Sequence, residues 1–215
     1  MKYTITRART AKEREAIYRF RYRIFIEEQQ KLYIKADHEH KMLYDEIDAF
    51  ATLYYAQQEG IVIGTVRVMH GAEGDFTQSD IDFFSINNYE KYFSHEELAI
   101  ADRFIVAPQF RHTRLAYLLM MTTLGGLEQG VKVCFITCLD ALLDMYLHFG
   151  FRAYAEPYLL ENGFKRHKLV LHIDDLEYLE KAKSPIVKYL KPGFYDDNKF
   201  AAMANKNAVT ADAIW

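Results

Sequence analysis

Residues 98–121, LAIADRFIVAPQFRHTRLAYLLMM, decide how the chain is read. Ile100 to Val106 is apolar and rich in β-branched side chains apart from Asp102 and Arg103, which predicts a buried strand. Pro108 has no N–H to extend a ladder, so the strand ends before it. After Gln109 and Phe110 comes the basic turn Arg111-His112-Thr113-Arg114, then an apolar run of helix formers through Met121. Thr113 is the expected N-cap, with Leu115, Leu118 and Leu119 on the packed face. The first turn of a helix has backbone N–H groups without intrahelical partners and the positive end of the helix dipole. With Arg111, His112 and Arg114 as added donors, such a turn suits a phosphate or pyrophosphate. The same pattern also describes an ordinary basic strand-to-helix connection.

Outward from this stretch, Gly125-Gly126 weakens the helix end, Gly130 stops it, and VKVCFITCL (131–139) reads as a strand buried on both faces. Asp140 is expected to cap the helix ALLDMYLHF, which Gly150 ends. Phe151–Leu159 is read as the next strand, residues 161–163 as a turn, and His167–Ile173 as the last strand. A charged helix is expected over Asp174–Lys183. From Ser184 onward come Pro185, Pro192, Gly193 and an Ala/Asn-rich tail. The organisation predicted is therefore a single domain over 1–183 and, over 184–215, a C-terminal extension that is docked or partly disordered.

Towards the N-terminus, Lys2–Arg9 alternates as a strand and Thr10 caps an amphipathic helix over Ala11–Gln30, with Ile17, Phe20 and Ile24 at helical spacing. Arg19, Arg21 and Arg23 interleave with Tyr18, Tyr22 and Phe25. Residues 31–47 are polar and hold Asp37, His38, Glu39 and His40. They read as a cover over a cleft rather than a metal site, because ligands bunched in one loop need partners elsewhere and none is signalled. Phe50–Gln57 and Ile61–His70 form an antiparallel hairpin around Glu59-Gly60, with Gly64 marking a bulge or a close approach. Ser79-Asp80 opens a short helix. The class is α/β in the α+β sense: a mixed, mostly antiparallel central sheet with helices on both faces.

A chain of 215 residues, half of them hydrophobic, is long enough to bury a sizeable core. The formal charge of -3 and pI near 6.2 lack the basic footprint of a nucleic-acid binder. Cys134 and Cys138 lie on one predicted strand, too far apart along it for a disulfide, and are read as strand packing. With no apolar signal region after MKYTITRART and no apolar stretch of transmembrane length, the expected compartment is the cytoplasm.

The turn RHTRLA and the later string ALLDMYLHFGF together resemble the acyl-coenzyme A signature of the GNAT acyltransferase superfamily. That signature is a strand, an Arg/Gln-x-x-Gly-x-Gly/Ala turn, a helix, a strand and a helix ending Tyr-x-x-x-Gly-Phe. Arg111 matches the first turn position and Ala116 the last, while Arg114 replaces the usual glycine. Tyr146, Gly150 and Phe151 match the second motif, and the resemblance spans residues 98–173. The string FRYRIFIEE, followed by Asp45, Asp48 and the strands ending on Arg67, is similar to acyl-homoserine-lactone synthases and long-chain N-acyl amino acid synthases. Arg21, Phe25, Asp45, Asp48, Arg67 and Arg103 fall on positions that recur in these groups. Ile100 stands where they carry glutamate. Their tryptophan after the first helix is missing, because Trp215 is the only one here, and this counts against S-adenosylmethionine use and lactone synthesis.

The resemblance implies a GNAT-fold N-acyltransferase that moves an acyl group, expected to be fatty, onto the amine of a small acceptor such as an amino acid. The donor is acyl-coenzyme A or the phosphopantetheine arm of an acyl carrier protein; no metal and no tightly bound cofactor are expected. Arg114 in the glycine position favours a phosphopantetheine arm over a closely held nucleotide. Backbone N–H groups of Phe104, Ile105 and Val106 are the expected thioester contacts, and residues Arg111, His112, Thr113, Arg114, Leu115 and Ala116 the phosphate contacts. Tyr146 is the candidate acid for the leaving thiolate, its pKa lying far closer to a thiol than a carboxylate's does. Asp48, Asp102, Glu97, His70 and water compete as the base. Arg21, Phe25, Asp45, Arg67 and Arg103 are assigned to the acceptor, with a structural ion-pair cluster as the alternative for the charged members. In these groups the region 71–97 borders the acyl chain, which makes Phe83, Phe84 and Tyr92 candidates to line a tunnel, with apolar packing the first expectation for each. A short-chain acetyltransferase and a non-catalytic GNAT-like module are the alternatives.

Overall fold

The computed structural model describes residues 3–30, 36–74, 76–126, 130–160 and 162–190. In chain order its elements are β1 (Thr4–Arg7), α1 (Ala11–Tyr22), β2 (Thr52–Gln58), β3 (Ile61–His70), α2 (Gln78–Phe84), β4 (Leu98–Val106) and α3 (Leu115–Gly126). These are followed by β5 (Val133–Leu139), α4 (Leu143–His148), β6 (Arg152–Ala153), β7 (Tyr158–Leu159), β8 (Lys165–His172), α5 (Leu176–Lys181) and α6 (Val187–Leu190). The described residues divide into two compact units, the first drawn from residues 3–68 and 103–123, the second from 69–102 and 124–190. Of the C-terminal extension expected over 184–215, the part beyond residue 190 lies outside the described residues.

In the first unit the strands run in the hydrogen-bonded order β1-β2-β3-β4, with β1–β2 and β2–β3 antiparallel. The hairpin turn is where the sequence puts it: Glu59 and Gly60 both have positive φ, 51° and 79°, the left-handed pair that matches strand twist. Gly64 serves both of its expected purposes. The register shifts between Ala56 and Gln57, leaving Ile63 as the extra residue. A Cβ on Gly64 would lie 3.3 Å from both the Ile105 carbonyl oxygen and Leu119 Cδ2.

Thr10 caps α1 through a reciprocal pair: its Oγ1 accepts from Glu13 N at 3.2 Å and Glu13 Oε2 accepts from Thr10 N at 2.8 Å. The helix expected to reach Gln30 ends as an α-helix at Tyr22 and continues as a π-helical turn over Arg23–Glu28, closed by Gln29 N to Ile24 O at 3.1 Å. In that wider turn Phe25 and Ile26 pack against Tyr22, Ala36 and Leu43. Such turns are rare and concentrate at functional sites. In α3, Thr113 Oγ1 accepts from Leu115 N at 3.2 Å, and Leu115 and Leu119 are buried while Leu118 is half-buried.

The second unit has the order β4-β5-β8-β6, with β7 also on β8. The β4–β5 ladder is parallel, pairing Leu98 to Ile100 with Val133 to Phe135; β5–β8, β6–β8 and β7–β8 are antiparallel. Phe135 anchors an aromatic layer, its ring centroid 4.7 Å from Tyr89, 5.9 Å from Tyr154 and 6.0 Å from Phe84. Tyr92, placed beside the acyl chain from sequence, is instead 80% exposed.

Three expectations are corrected in this unit. The single strand predicted over 151–159 is two short ones, broken where Pro157 cannot donate and where Tyr154 turns its hydroxyl to the Phe84 carbonyl at 3.0 Å. Asp140 does not cap α4: it opens a 3₁₀ turn, Asp140–Leu142, and its Oδ1 lies 2.6 Å from His167 Nε2. The cap of α2 is Thr77, with Asp80 as its reciprocal partner, rather than Ser79. Gly150 ends α4 as expected, with φ of 97°. Among the described residues no helix is long and apolar enough to cross a membrane.

Candidate functional site

Five of the charged residues singled out from the sequence come together in the first unit. Arg21 is on the last turn of α1, Asp45 caps the 3₁₀ turn Glu46–Ala49 that carries Asp48, Arg67 is near the end of β3, and Arg103 is on β4. Arg21 Nη1 donates to Asp48 Oδ1 at 2.7 Å and Arg103 Nη1 to Asp48 Oδ2 at 2.9 Å. Arg67 Nη1 donates to Asp45 Oδ1 at 2.6 Å and stands 3.5 Å from Asp48 Oδ1, while Arg103 Nη2 pairs with Asp45 Oδ2. Asp45 and Asp48 also cap each other's backbone: Asp48 Oδ2 accepts from Asp45 N at 3.0 Å. Arg103 reaches the cluster because its own φ is +49°, a left-handed residue inside a strand, which kinks β4 and re-aims the side chain.

Burial sorts these residues. The side chains of Arg21 and Asp48 are 0% and 1% exposed, Arg67 4%, Arg103 16% and Asp45 33%. Burial alone would raise the Asp48 pKa, but the charges of Arg21, Arg103 and Arg67 and the bond from Arg21 hold it below the ordinary carboxylate value. Burial lowers the Arg21 pKa, against the opposing pull of Asp48. Asp48 is thus a buried counter-ion with a depressed pKa, which makes it a poor base. Among the described residues, Nε and Nη2 of Arg21 are buried without a hydrogen-bond partner. Phe25, grouped with these residues from sequence, packs instead in the π-helical turn against Tyr22, Ala36 and Leu43.

The basic turn between β4 and α3 is built by its own side chains. Arg111 Nε donates to the Val106 carbonyl at 3.1 Å, and Thr113 Oγ1 donates to the Phe110 carbonyl at 2.7 Å. Arg111, His112 and Arg114 are exposed, Leu115 is buried and Ala116 half-buried; Ile105 and Val106 are buried and Phe104 half-buried. Burial raises the pKa of Tyr3 and of Tyr117, and the Arg114 charge opposes the rise in both.

In the second unit Tyr146 is buried on α4, its ring edge-on to Phe151 at 5.4 Å. Burial, then the nearby Cys138 and Cys134, push its phenol well above its usual value, so it stays protonated at any working pH. Burial likewise pushes Cys138 up to about 11 and Cys134 up to about 12, so neither is a thiolate nucleophile. His167 stands opposite Cys138 in the β5–β8 register, a neighbour that the sequence did not signal, but its Nε2 is engaged by Asp140. Of the base candidates here, Glu97 is paired with Lys132 at 2.5 Å, and Asp102 and His70 are half-buried. Asp37 and His40 pair with each other, Nδ1 to Oδ2 at 3.0 Å.

Sequence reasoning missed three features: the full burial of Arg21, the kink at Arg103 and the His167–Asp140 pair. Only the second had a signal, since two adjacent charges, Asp102 and Arg103, interrupt an otherwise apolar strand.

The fold is shared with known acyltransferases. A CoA-dependent acyl-homoserine lactone synthase, BjaI, solved with SAM and isopentyl-CoA, superposes with a TM-score of 0.63 at 18% identity, over 95% of this chain and 99% of that one. FeeM, an N-acyl amino acid synthase from uncultured soil microbes, gives 0.62 at 14% identity, over 88% and 98%. An acyl-CoA N-acyltransferase from Pseudomonas aeruginosa gives 0.55 at 19%, over 78% and 97%. No curated protein matches the sequence significantly. These likenesses establish the GNAT-like fold, and the family model of the N-acyl amino acid synthase FeeM matches residues 16–172. The stretch it matches takes in Arg21, Asp45, Asp48, Arg67 and Arg103, the turn before α3, and Tyr146, and the chain belongs to the N-acyl amino acid synthase FeeM family of N-acyltransferases.

Proposed function

We propose that the enzyme transfers a fatty acyl group from a phosphopantetheine thioester, on acyl carrier protein or coenzyme A, to the α-amine of an amino acid. The family match over residues 16–172 carries this reading. BjaI, of the same fold, is CoA-dependent and was solved with isopentyl-CoA, which supports a thioester donor. The exposed cations His112 and Arg114 at the start of α3 suit the phosphate of that donor, and Arg111 pins the turn to Val106. The backbone N–H groups of Phe104, Ile105 and Val106 are assigned to the thioester arm.

The chemistry asked of the chain is small. A neutral amine attacks the thioester carbonyl, the C–N bond forms, the C–S bond breaks, the thiolate takes a proton and the nitrogen loses one. Tyr146 is the candidate for the thiolate's proton by its motif position; burial keeps it neutral and also raises its pKa away from a thiol's, so the match in acidity expected from the sequence is lost. The amine's proton is assigned to water, Asp102 or His70; Asp48 pairs with Arg21 and Arg103, and Glu97 with Lys132. Asp45, the most exposed member of the charged cluster, is the group that can meet an amine, and Arg21, Arg67 and Arg103 are cations for a carboxylate.

The test is direct. Purified enzyme is incubated with dodecanoyl acyl carrier protein, dodecanoyl-coenzyme A or acetyl-coenzyme A and a panel of amino acids, and N-acyl products are followed by mass spectrometry. Long-chain N-acyl amino acids are expected. Transfer of acetyl alone, or to no amine at all, refutes the reading.

A further inference from the structure

Tyr146, the candidate for the leaving thiolate's proton, is 4% exposed on α4. Once it gives that proton away, a phenolate is left where water cannot hydrate it, which is costly. Burial already raises its phenol well above the usual value, so a free phenolate is a poorer place for the charge than the thiolate it relieves. A hydroxyl, however, both donates and accepts. If a second proton reaches the Tyr146 oxygen as the first leaves, the phenolate never forms and the mismatch in acidity no longer sets the barrier.

The second unit holds a line of titratable groups that leads from Tyr146 to solvent. The nearby groups that bear on its ionisation are Cys138, then Cys134, then Arg166. Cys138 is buried on β5 and stands opposite His167 in the β5–β8 register, so the two side chains project from the same face of the sheet. His167 is buried too, and its Nε2 lies 2.6 Å from Oδ1 of Asp140, whose side chain is 63% exposed. Neither the 3₁₀ turn that Asp140 opens nor α4 has a side-chain cap, so this carboxylate serves His167 rather than a helix end. It fixes the ring through Nε2 and leaves Nδ1 as the nitrogen that can pass a proton inward. The other charges beside the line are on β8: Lys165 acts on Asp140, and Arg166 on Cys138 and Tyr146.

We propose that His167, held by Asp140, returns a proton to Tyr146 through Cys138 in each turnover. This rests on the thioester transfer and the Tyr146 assignment proposed above. The leaving thiolate takes the Tyr146 hydroxyl proton, the Tyr146 oxygen takes the Cys138 Sγ proton, and Cys138 takes one from imidazolium His167. Each bond to hydrogen that breaks is matched by one that forms, Tyr146 and Cys138 end as they began, and the charges of imidazolium and thiolate cancel. Solvent reprotonates His167 beside Asp140, matching the proton that the amine gives up. Cys138 works as a thiol throughout, in keeping with its burial, and His167 acts only through Tyr146.

The test is a double-mutant cycle on the full-length protein, with whichever dodecanoyl thioester the wild type uses and its best amino acid. Tyr146→Phe is expected to lower kcat, and His167→Gln to lower it about tenfold or more, with donor KM unchanged in both. Because one residue acts through the other, the double variant should be no slower than Tyr146→Phe alone. Wild-type kcat should fall as rising pH removes the imidazolium, and that limb should be absent from His167→Gln. A double variant slowed by the product of the two effects, or a His167→Gln that keeps wild-type kcat, overturns the relay and leaves N-acyl transfer standing. Full turnover by Tyr146→Phe overturns the Tyr146 assignment and the relay with it, and no transfer by the wild type overturns the functional reading itself. Because His167→Gln can fail to fold, a second pair of variants is measured. Cys138→Ser, which keeps a hydroxyl in the line, should retain several times the kcat of Cys138→Ala, and equal kcat for the two overturns the relay.

Discussion

Arg21 and Asp48 form an ion pair at 2.7 Å in which neither side chain meets solvent, tying the end of α1 to the turn that precedes β2. Arg14 adds to the same junction, donating to the Asp48 carbonyl and, at 3.3 Å, to the Ala51 carbonyl. Removing one member of such a pair leaves the other charged, buried and uncompensated, which typically costs about 3–5 kcal/mol. Asp48→Asn should therefore lower the urea midpoint sharply with an unchanged denaturant slope. A shift within about 0.5 kcal/mol would show that Arg21 finds its compensation elsewhere.

The start of α1 gives a pH-dependent counterpart. The backbone N–H of Arg9 lowers the Glu13 pKa, and the Thr10 and Tyr55 hydroxyls and the Thr10 N–H add to it against the opposing effect of burial, bringing it to about 2. A folded pKa below the unfolded one means that the unfolded chain binds the proton first, so the contribution is present above the unfolded value near 4.5 and is lost as pH falls towards about 2. Glu13→Gln should lower stability at pH 7, flatten the acid-unfolding curve in that window and approach the wild type as pH falls towards about 2. Thr10→Ala, which removes the reciprocal cap, should cost about 1 kcal/mol at neutral pH.

What the sequence made legible were features written in neighbouring residues. Thr10 with Glu13 and Glu59-Gly60 are local signals, and each stands where it was read. Thr113, read as the cap of α3, lies one residue before the actual cap: the Arg114 carbonyl accepts the first helical bond, from Leu118 N at 2.9 Å. Where distant residues decide, the reading drifted. Nothing near Asp140 reveals that His167, on another strand, will claim its carboxylate and leave α4 without a side-chain cap. The same holds for the charged cluster, whose members were recognised as a group although their burial was not. Whether Asp48 is a ligand or a counter-ion depends on Arg21 being 0% exposed, a property of tertiary packing.

Gly150 separates a motif's fold requirement from its chemistry. It combines a φ of 97° with a Cβ position only 2.4 Å from Leu179 Cδ2. Gly150→Ala adds backbone strain and a clash together, so a loss of more than about 1 kcal/mol is expected, read as a lower Tm. Gly163→Ala is the control: its φ of 80° is also left-handed, but no atom lies within 4 Å of the added carbon. The difference between the two variants isolates the packing of α5 against the end of α4.

Tyr146→Phe tests the proposed proton donor. The ring contact with Phe151 survives the change, so Tm should move little, while removal of the general acid should lower kcat by about 10²-fold or more. With its pKa raised well above the usual value, Tyr146 should contribute no alkaline limb to the kcat profile near pH 10. Unchanged turnover in the variant assigns the proton to water.

The turn before α3 makes the last prediction, because its three basic residues are not equivalent. Arg111 is spent on the Val106 carbonyl through Nε, so Arg111→Ala should disturb the turn itself and lower Tm as well as activity. His112 and Arg114 are exposed, and their substitution touches only what they bind. If Arg114 meets a donor phosphate in ground state and transition state alike, Arg114→Ala should raise the donor KM about tenfold with kcat unchanged. Raising the ionic strength should weaken the wild type towards the variant, since exposed charge contacts are screened within about 10 Å at 0.1 M salt. Coenzyme A carries more phosphate than a phosphopantetheine arm does. A larger KM effect with dodecanoyl-coenzyme A than with dodecanoyl acyl carrier protein would therefore place a nucleotide phosphate at Arg114, and equal effects would place the phosphate that the two donors share.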